Sequence, residues 1–240
     1  MRVFLAGASG AIGRRLVPLL LRAGHEVTGT TRSVGTAREL EQKGITPAVL
    51  DVFDRQAVID AIRAARSQII IHQLTDLPRQ FDQARILASY AKNARVRTEG
   101  TRNLLAAARI ASVRRFVVQS VAFAYAAGGE PRSETDALNL NDPTRAVTVK
   151  GALDMEQQVL GEPALEAIVL RYGLLYGSGT WQETAGSKPA LHVDAAAHAA
   201  LLAVTQGRPG IYNVADDDGA VSIGKARAEL GFDPQFRLGL

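Results

Sequence analysis

The chain has 240 residues, 47% of them hydrophobic and 22% charged, which fits one large α/β domain with a sizeable core and excludes a disordered polymer. It contains no cysteine, so disulfides, thiolate metal sites, iron–sulfur clusters and cysteine nucleophiles are excluded. A net charge of +4, with 23 arginines interrupted by acids and only 5% aromatics, lacks the basic, aromatic-interleaved face of a nucleic-acid reader, and no apolar run nears the roughly 20 residues that span a bilayer.

Short runs rich in Val and Ile alternate with longer segments of helical spacing, the βαβ rhythm of a doubly wound parallel sheet. Strands are predicted at Val3 to Ala6, Glu26 to Thr31, Pro47 to Leu50, Ile69 to His72, Phe116 to Ser120, Ala167 to Arg171 and Ile211 to Val214. The first helix runs from Ile12 to Ala23 and stops at Gly24, and the third starts after Asp54, a good N-cap. Ile86 to Ala111 reads as one long Ala-rich segment with a packing stripe of Leu104, Leu105 and Ala108 and a second stripe of Arg95, Arg102 and Arg109. Gly128 to Pro143 is a Gly, Pro, Ser and Asp loop long enough to be functional. Met1-Arg2 leads straight into the first strand with no signal-peptide pattern, so a cytoplasmic protein is expected.

Between the first strand and the first helix stands Gly7-Ala8-Ser9-Gly10-Ala11-Ile12-Gly13, a GxxGxxG loop in the context of a dinucleotide site. Gly7 permits the sharp turn, Gly10 clears the approach of a pyrophosphate to the backbone, and Gly13 lets helix and strand lie close. Ser9, Ala11 and Ile12 complete the cradle, with the helix N-terminus facing the phosphates. The second strand ends Thr30-Thr31-Arg32-Ser33 without a carboxylate for a ribose 2′-hydroxyl. Arg32, helped by Arg14, suits a 2′-phosphate, so NADP is expected over NAD. Asp51 and Val52 follow the third strand, where the adenine edge is expected, although Asp51 also suits a bond within its own turn. His72, Gln73 and Leu74 follow the fourth strand, where the nicotinamide should pass, and a buried, satisfied histidine is the alternative for His72.

Asp51-Val52-Phe53-Asp54, Glu99-Gly100-Thr101-Arg102-Asn103-Leu104-Leu105, Phe116-Val117-Val118-Gln119-Ser120, Leu170-Arg171-Tyr172-Gly173-Leu174-Leu175-Tyr176-Gly177, His192-Val193-Asp194-Ala195-Ala196, Tyr212-Asn213-Val214 and Ala226-Arg227-Ala228-Glu229-Leu230-Gly231-Phe232 follow one another along the chain. Together with the glycine loop they resemble, over nearly the whole length, the extended short-chain dehydrogenase/reductase superfamily, in particular its NAD-dependent epimerase/dehydratase family. The resemblance implies a Rossmann fold, hydride chemistry at a nicotinamide, an active-site serine on the fifth strand, and a homodimer through the helices around Arg97 to Ala111 and Gly151 to Leu160.

The departures are as informative. The family's chemistry uses a Tyr and a Lys four residues apart, yet none of Tyr90, Tyr125, Tyr172, Tyr176 and Tyr212 has Lys at the fourth position. Registering Glu156 on the family's helix glutamate places Thr148 at the Tyr position and Ala152 at the Lys position. Arg97 stands where the family has asparagine, and Ala195 replaces the second Asp of HVDDAA. The segments from Gly177 to His192 and from Asn213 to Ala226 are shorter than the family's substrate-lobe insertions.

Ser120, at the carboxyl edge of the sheet, is the first candidate to hold a substrate oxygen, against a strand-end serine bonding local backbone. Tyr125 is the candidate replacement acid, against a loop ring that covers apolar surface. Lys150, Glu134 and Asp136 are further candidates whose alternative is plain solvation, and His192 and His198 have no partners at metal-ligand spacing. The reading is residues 1–172 as an NAD(P)-binding Rossmann domain and 173–240 as a small substrate lobe with a late sheet strand. Its expected function is an NADP-dependent oxidoreductase or epimerase acting on a small carbonyl, hydroxyl or sugar-type substrate. A catalytically silent NADP sensor or interaction protein is the alternative.

Overall fold

The computed structural model describes residues 1–78 and 80–239. Seven parallel strands form one sheet in the order β3-β2-β1-β4-β5-β6-β9, with β1 Arg2–Ala6, β2 Glu26–Thr31, β3 Thr46–Val49, β4 Ile69–His72, β5 Arg115–Val121, β6 Glu166–Tyr172 and β9 Gly210–Val214. Alternate residues feed opposite faces, as a strand period of two requires. Val3 and Leu5 join α1 (Gly13–Arg22) and α7 (Val193–Leu202), whereas Phe4 and Ala6 join α3 (Arg55–Ala64), α5 (Thr101–Ile110) and α6 (Ala146–Leu160). Helix α2 (Val34–Gln42) starts at Ser33, whose side chain caps it. Strand order reverses between β1 and β4, which places a ligand crevice at the carboxyl ends of these strands.

All seven predicted strands are present, most of them a residue or two longer or shifted at an end. Two further strands, β7 (Leu174–Tyr176) and β8 (Ala190–His192), pair in a separate parallel ribbon that the apolar patterning does not reveal. After Tyr172 the chain leaves the sheet for this ribbon and the coil 177–189, then returns through α7 and β9. Arg115 fixes that return: it donates to Ala203 O (2.9 Å), Gln206 O (2.7 Å) and Gly207 O (3.1 Å), satisfying carbonyls at the C-terminus of α7.

The segment expected as one helix from Ile86 to Ala111 starts earlier and is interrupted. Helix α4 (Gln83–Arg95), capped by Asp82, passes into a π-turn at Val96–Gly100 before α5 begins. A π-turn re-aims side chains relative to a straight helix and frequently marks a functional site. Gly100 is needed there, since a Cβ would sit 3.2 Å from Val52 Cγ1. Two of the three arginines of the stripe are paired: Arg95 grips Glu99 and lies over the Phe53 ring, and Arg109 pairs with Glu162. The small residues of α4 and α6 meet within the chain, because a Cβ on Gly151 would come 2.9 Å from Ala94 Cβ.

Candidate active site

The glycine loop lies at the strand-order reversal. Gly7 has φ +99°, and a side chain there would strike Gln73 O at 2.8 Å; one on Gly13 would collide with the Gly7 carbonyl. Gly10 is different. It is exposed, and a Cβ would meet only Gly7 O at 3.4 Å, so its outer side is open. Around it Gly10 N bonds Gly7 O and Arg14 N bonds Gly10 O, with no backbone acceptor for the amides of Ala11 and Ile12 among the described residues. Donors facing an open side at the start of α1 suit a pyrophosphate. Ser9 is exposed and Ile12 is buried in the core, so the loop is anchored on one side only.

Thr30 Oγ1 accepts from Gly7 N at 3.0 Å, tying the end of β2 to this loop. Next to it Arg32 and Ser33 are exposed, and Arg14 is exposed at the start of α1. Asp51 lies in solvent and accepts from Phe53 N at 3.0 Å, the bond within its own turn. Val52 is buried, and its carbonyl accepts from Asn103 Nδ2 at 2.9 Å.

The end of β4 forms the opposite wall. Gln73 Nε2 reaches Tyr172 Oη at 3.4 Å, and Leu74 O accepts from Gln119 Nε2 at 3.2 Å. His72 is fully buried and its Nδ1 accepts from Leu74 N at 3.2 Å, so the neutral ring carries its proton on Nε2. That Nε2 has no hydrogen-bond partner among the described residues. Burial first, and the Arg97 charge second, lower the His72 pKa from 6.5 to about 3, so the ring is neutral at physiological pH.

Around Thr148 and Ala152 the wall is mostly apolar. Thr148, Ala152 and Glu156 lie at intervals of four on one face of α6 and are all buried. Val121, Ala124, Val149 and Ala152 form one cluster with Phe123, Leu138 and Leu140. The polar exception is Arg97 on the π-turn, 5% exposed, which donates through Nη1 to Thr148 O (2.9 Å) and Thr148 Oγ1 (2.7 Å). Lys150 is exposed.

The two candidate hydroxyls belong to one buried network. Ser120 is 3% exposed and donates to Glu156 Oε1 at 2.5 Å. Glu156 also accepts from Arg171 Nε (2.9 Å) and Nη2 (2.6 Å). Arg171 Nη1 reaches Tyr125 Oη at 2.9 Å, and Tyr125 donates to Asn213 Oδ1 at 2.6 Å. Burial raises the Tyr125 pKa despite the adjacent guanidinium, the reverse of what an activated phenol requires. Removing a true general acid costs about 10²–10⁴ in rate. Tyr125→Phe is therefore expected to keep turnover within about tenfold and leave the pH–rate profile unchanged; a larger loss or a shifted limb would make the phenol a proton donor.

Glu134 accepts from Asn213 N at 2.9 Å and Asp136 from Ser133 N at 2.7 Å, so both close their loop. His192 lies edge-on to Tyr176, and His198 stacks on Phe236. The residues that sequence reasoning missed are Glu156, Arg171 and Asn213 as one network and Arg97 as a site residue. Their signal was a charged or amide side chain inside an otherwise apolar run, as in Val169-Leu170-Arg171-Tyr172.

Residues 3–190 match the NAD dependent epimerase/dehydratase family. A 3-diazoavenalumate denitrifying reductase of Streptomyces sp is 39% identical over 92% of this chain and 77% of its own length. The UDP-glucose 4-epimerase of Thermotoga maritima, solved with UDP-glucose, superposes with a TM-score of 0.82 at 18% identity, over 99% of this chain and 94% of its own. The UDP-glucose 4-epimerase of Thermus thermophilus, solved with NAD, gives 0.77 at 22% identity, over 99% and 95%.

Proposed function

The chain belongs to the NAD dependent epimerase/dehydratase family, and from that premise we propose that it is an NADPH-dependent reductase whose hydride acceptor needs no proton from a protein tyrosine. It is an enzyme of the nicotinamide-dependent oxidoreductase and epimerase type. The finer reading is supported by Thr148 and Ala152, which the resemblance sets at the Tyr and Lys positions and which lie buried beside the apolar cluster of Val121 and Val149. Neither side chain exchanges a proton near neutral pH.

The 39% identical relative is a reductase of a diazo compound, and a substrate of that kind suits such a wall. A bound nicotinamide supplies hydride. A diazonium group that gains a hydride at its terminal nitrogen becomes a neutral diazene; loss of N2 then leaves that hydrogen on carbon. No proton leaves the protein, and the apolar wall disfavours hydrolysis by excluding water. The chain's own part is to hold and orient. The glycine loop, Arg32, Asp51, Val52 and the segment His72 to Leu74 line the cofactor cleft. Ser120 and Tyr125 act as positioning residues that fix α6 against β5 and β6. Residues 173–240 supply the substrate side, where Trp181 Nε1 bonds Pro78 O at 2.9 Å and joins the coils after β4 and β7.

The test is NADPH oxidation followed at constant pH with arenediazonium salts, simple ketones and UDP-glucose. Diazonium turnover with N2 release supports the reading. Activity confined to ketones or to sugar epimerisation overturns the acceptor class, and tight NADPH binding with no acceptor at all would leave the silent sensor.

NADP preference rests on exposed Arg32 and the absence of an acid at the end of β2. Charge-assisted hydrogen bonds contribute about 1.5–3 kcal/mol, so Arg32→Glu is expected to weaken NADPH binding roughly 10- to 100-fold and to spare NADH. Calorimetric titration showing tighter NADH binding to the unmodified protein would remove the 2′-phosphate argument. A homodimer through the helices around Arg97 to Ala111 and Gly151 to Leu160, which expose Ile110 and Leu160, is expected to sediment as twice the chain mass at micromolar concentration; a monomer there argues against it. No helix among the described residues is long and apolar enough to cross a membrane, and a cytoplasmic location belongs to the same proposal.

A further inference from the structure

Arg97 is a buried cation without an anion. The residue is 5% exposed, its side-chain hydrogen bonds among the described residues all go to Thr148, and it forms no ion pair among them. Glu156, the carboxylate whose charge acts on it, is itself held by both arms of Arg171 and by Ser120. Burial lowers the Arg97 pKa to about 10, which still leaves the group charged at neutral pH. An unneutralised buried charge is costly and is retained where something else requires it.

Three further observations point to what that is. The π-turn sets the direction of Arg97 and brings it to Thr148. One turn earlier Asn93, also buried, accepts from Asp76 N at 3.0 Å, so this side of α4 and the π-turn holds the segment that follows His72. His72 presents a second donor, Nε2–H, without an acceptor, close enough for the Arg97 charge to lower its pKa.

Positive charge and unpaired donors with no acceptor beside Thr148 define an anion subsite. We infer that Arg97, with Thr148, binds an oxygen anion of the substrate, a carboxylate or a phenolate, and thereby orients the reducible group toward the nicotinamide. This rests on the reductase reading for its purpose. Arg97 is its specificity-determining residue: an anionic substrate supplies the missing counter-charge, and a neutral one leaves the guanidinium unpaired.

The experiment uses the full chain saturated with NADP⁺ and titrated with benzoate and with benzamide, a charged and a neutral ligand of the same shape. Benzoate is expected to raise the melting temperature and benzamide to leave it unchanged. Charge-assisted hydrogen bonds set the scale, so Arg97→Gln should weaken benzoate about 10- to 100-fold while NADP⁺ affinity stays within about twofold, and Arg97→Lys should recover part of the loss. Arg97→Met should lose the benzoate response and raise the melting temperature of the ligand-free protein, since it removes an unpaired buried charge. Equal responses to benzoate and benzamide, or a benzoate response that survives Arg97→Gln, overturns the subsite. A lower melting temperature for Arg97→Met together with a retained response does the same and makes Arg97 structural. Failure of diazonium salts to oxidise NADPH would overturn the reductase reading and leave this titration standing.

Discussion

Glu156→Ala is expected to cost the protein about 3–5 kcal/mol of stability, because it strands the Arg171 guanidinium in the core. Both partners are almost sealed, at 2% and 4% side-chain exposure, and their shortest contact is 2.6 Å. Neither the intrinsic worth of the ion pair nor its surface area sets this cost. It comes from the asymmetry between a satisfied buried pair and one charge left alone. Glu156→Met with Arg171→Met removes both charges and should destabilise less than the sum of the two single changes, although Tyr125 Oη and Glu134 O then lose a donor. Ser120→Ala removes a single bond to a carboxylate and should cost about 1–3 kcal/mol. Urea denaturation of the single and double variants gives the coupling directly. A single-variant cost below about 1 kcal/mol, or strict additivity, would show that water reaches the pair. Because Thr148, Ala152 and Glu156 share a face of α6, a stable variant with a loosened Glu156 should also lose turnover before it loses NADPH affinity.

The framework of this site was legible in the sequence because its local rules agree with one another. Gly7, Gly10 and Gly13 have three different jobs, and each shows in its backbone surroundings: a positive φ, an open side and a close helix approach. The parallel sheet was implied by the alternation of apolar runs with helical spacing, while its strand order came from the structure. Boundaries were less legible. The π-turn at Val96–Gly100 has no composition signal of its own; it becomes necessary only when Gly100 meets Val52 and Arg97 meets Thr148 in space. The ribbon of β7 and β8 was missed because each strand is three residues long and its partner lies beyond the coil at 177–189.

Chemistry was least legible where it depends on pairs distant in sequence. Ser120 sits at the strand end, as expected, and what its hydroxyl does is decided by Glu156, 36 residues later. Tyr125 is placed by Arg171 and Asn213, 46 and 88 residues away. That no tyrosine has a lysine at the fourth position is visible in the sequence, and only the family resemblance gives that spacing a meaning; the mostly apolar wall around Thr148 and Ala152, with the buried Arg97 beside it, required the packing of α6 on the π-turn. Sequence shows which groups are missing, and the fold shows which remaining group has no counter-charge.

His72 makes that buried site sensitive to acid. Its folded pKa is lowered to about 3 from an ordinary 6.5, by burial first and by Arg97 second. Between these values the unfolded chain binds a proton that the native ring refuses, so the contribution of His72 is complete above about pH 6.5 and declines as pH falls toward 3. One pKa unit corresponds to roughly 1 kcal/mol, which gives an expected loss of roughly 2–3 kcal/mol between pH 6 and pH 4 from this one side chain. Carboxylates with lowered pKa values, such as Glu99 and Asp142, lose their stabilisation over the more acid part of the range, so the informative quantity is a difference between variants. His72→Gln keeps a polar side chain that can accept from Leu74 N and does not titrate. Its stability should therefore fall less steeply below pH 6 than that of the unmodified protein, with the two curves converging as the pH is lowered. Arg97→Met removes the second cause and raises the folded pKa of the ring, so the decline still begins near pH 6.5 but ends at a higher pH and its total is smaller. Urea midpoints at half-unit pH intervals decide the matter: parallel curves for the unmodified protein and His72→Gln would mean that the ring is protonated in place, reached by water that the packed wall around Arg97 is expected to exclude.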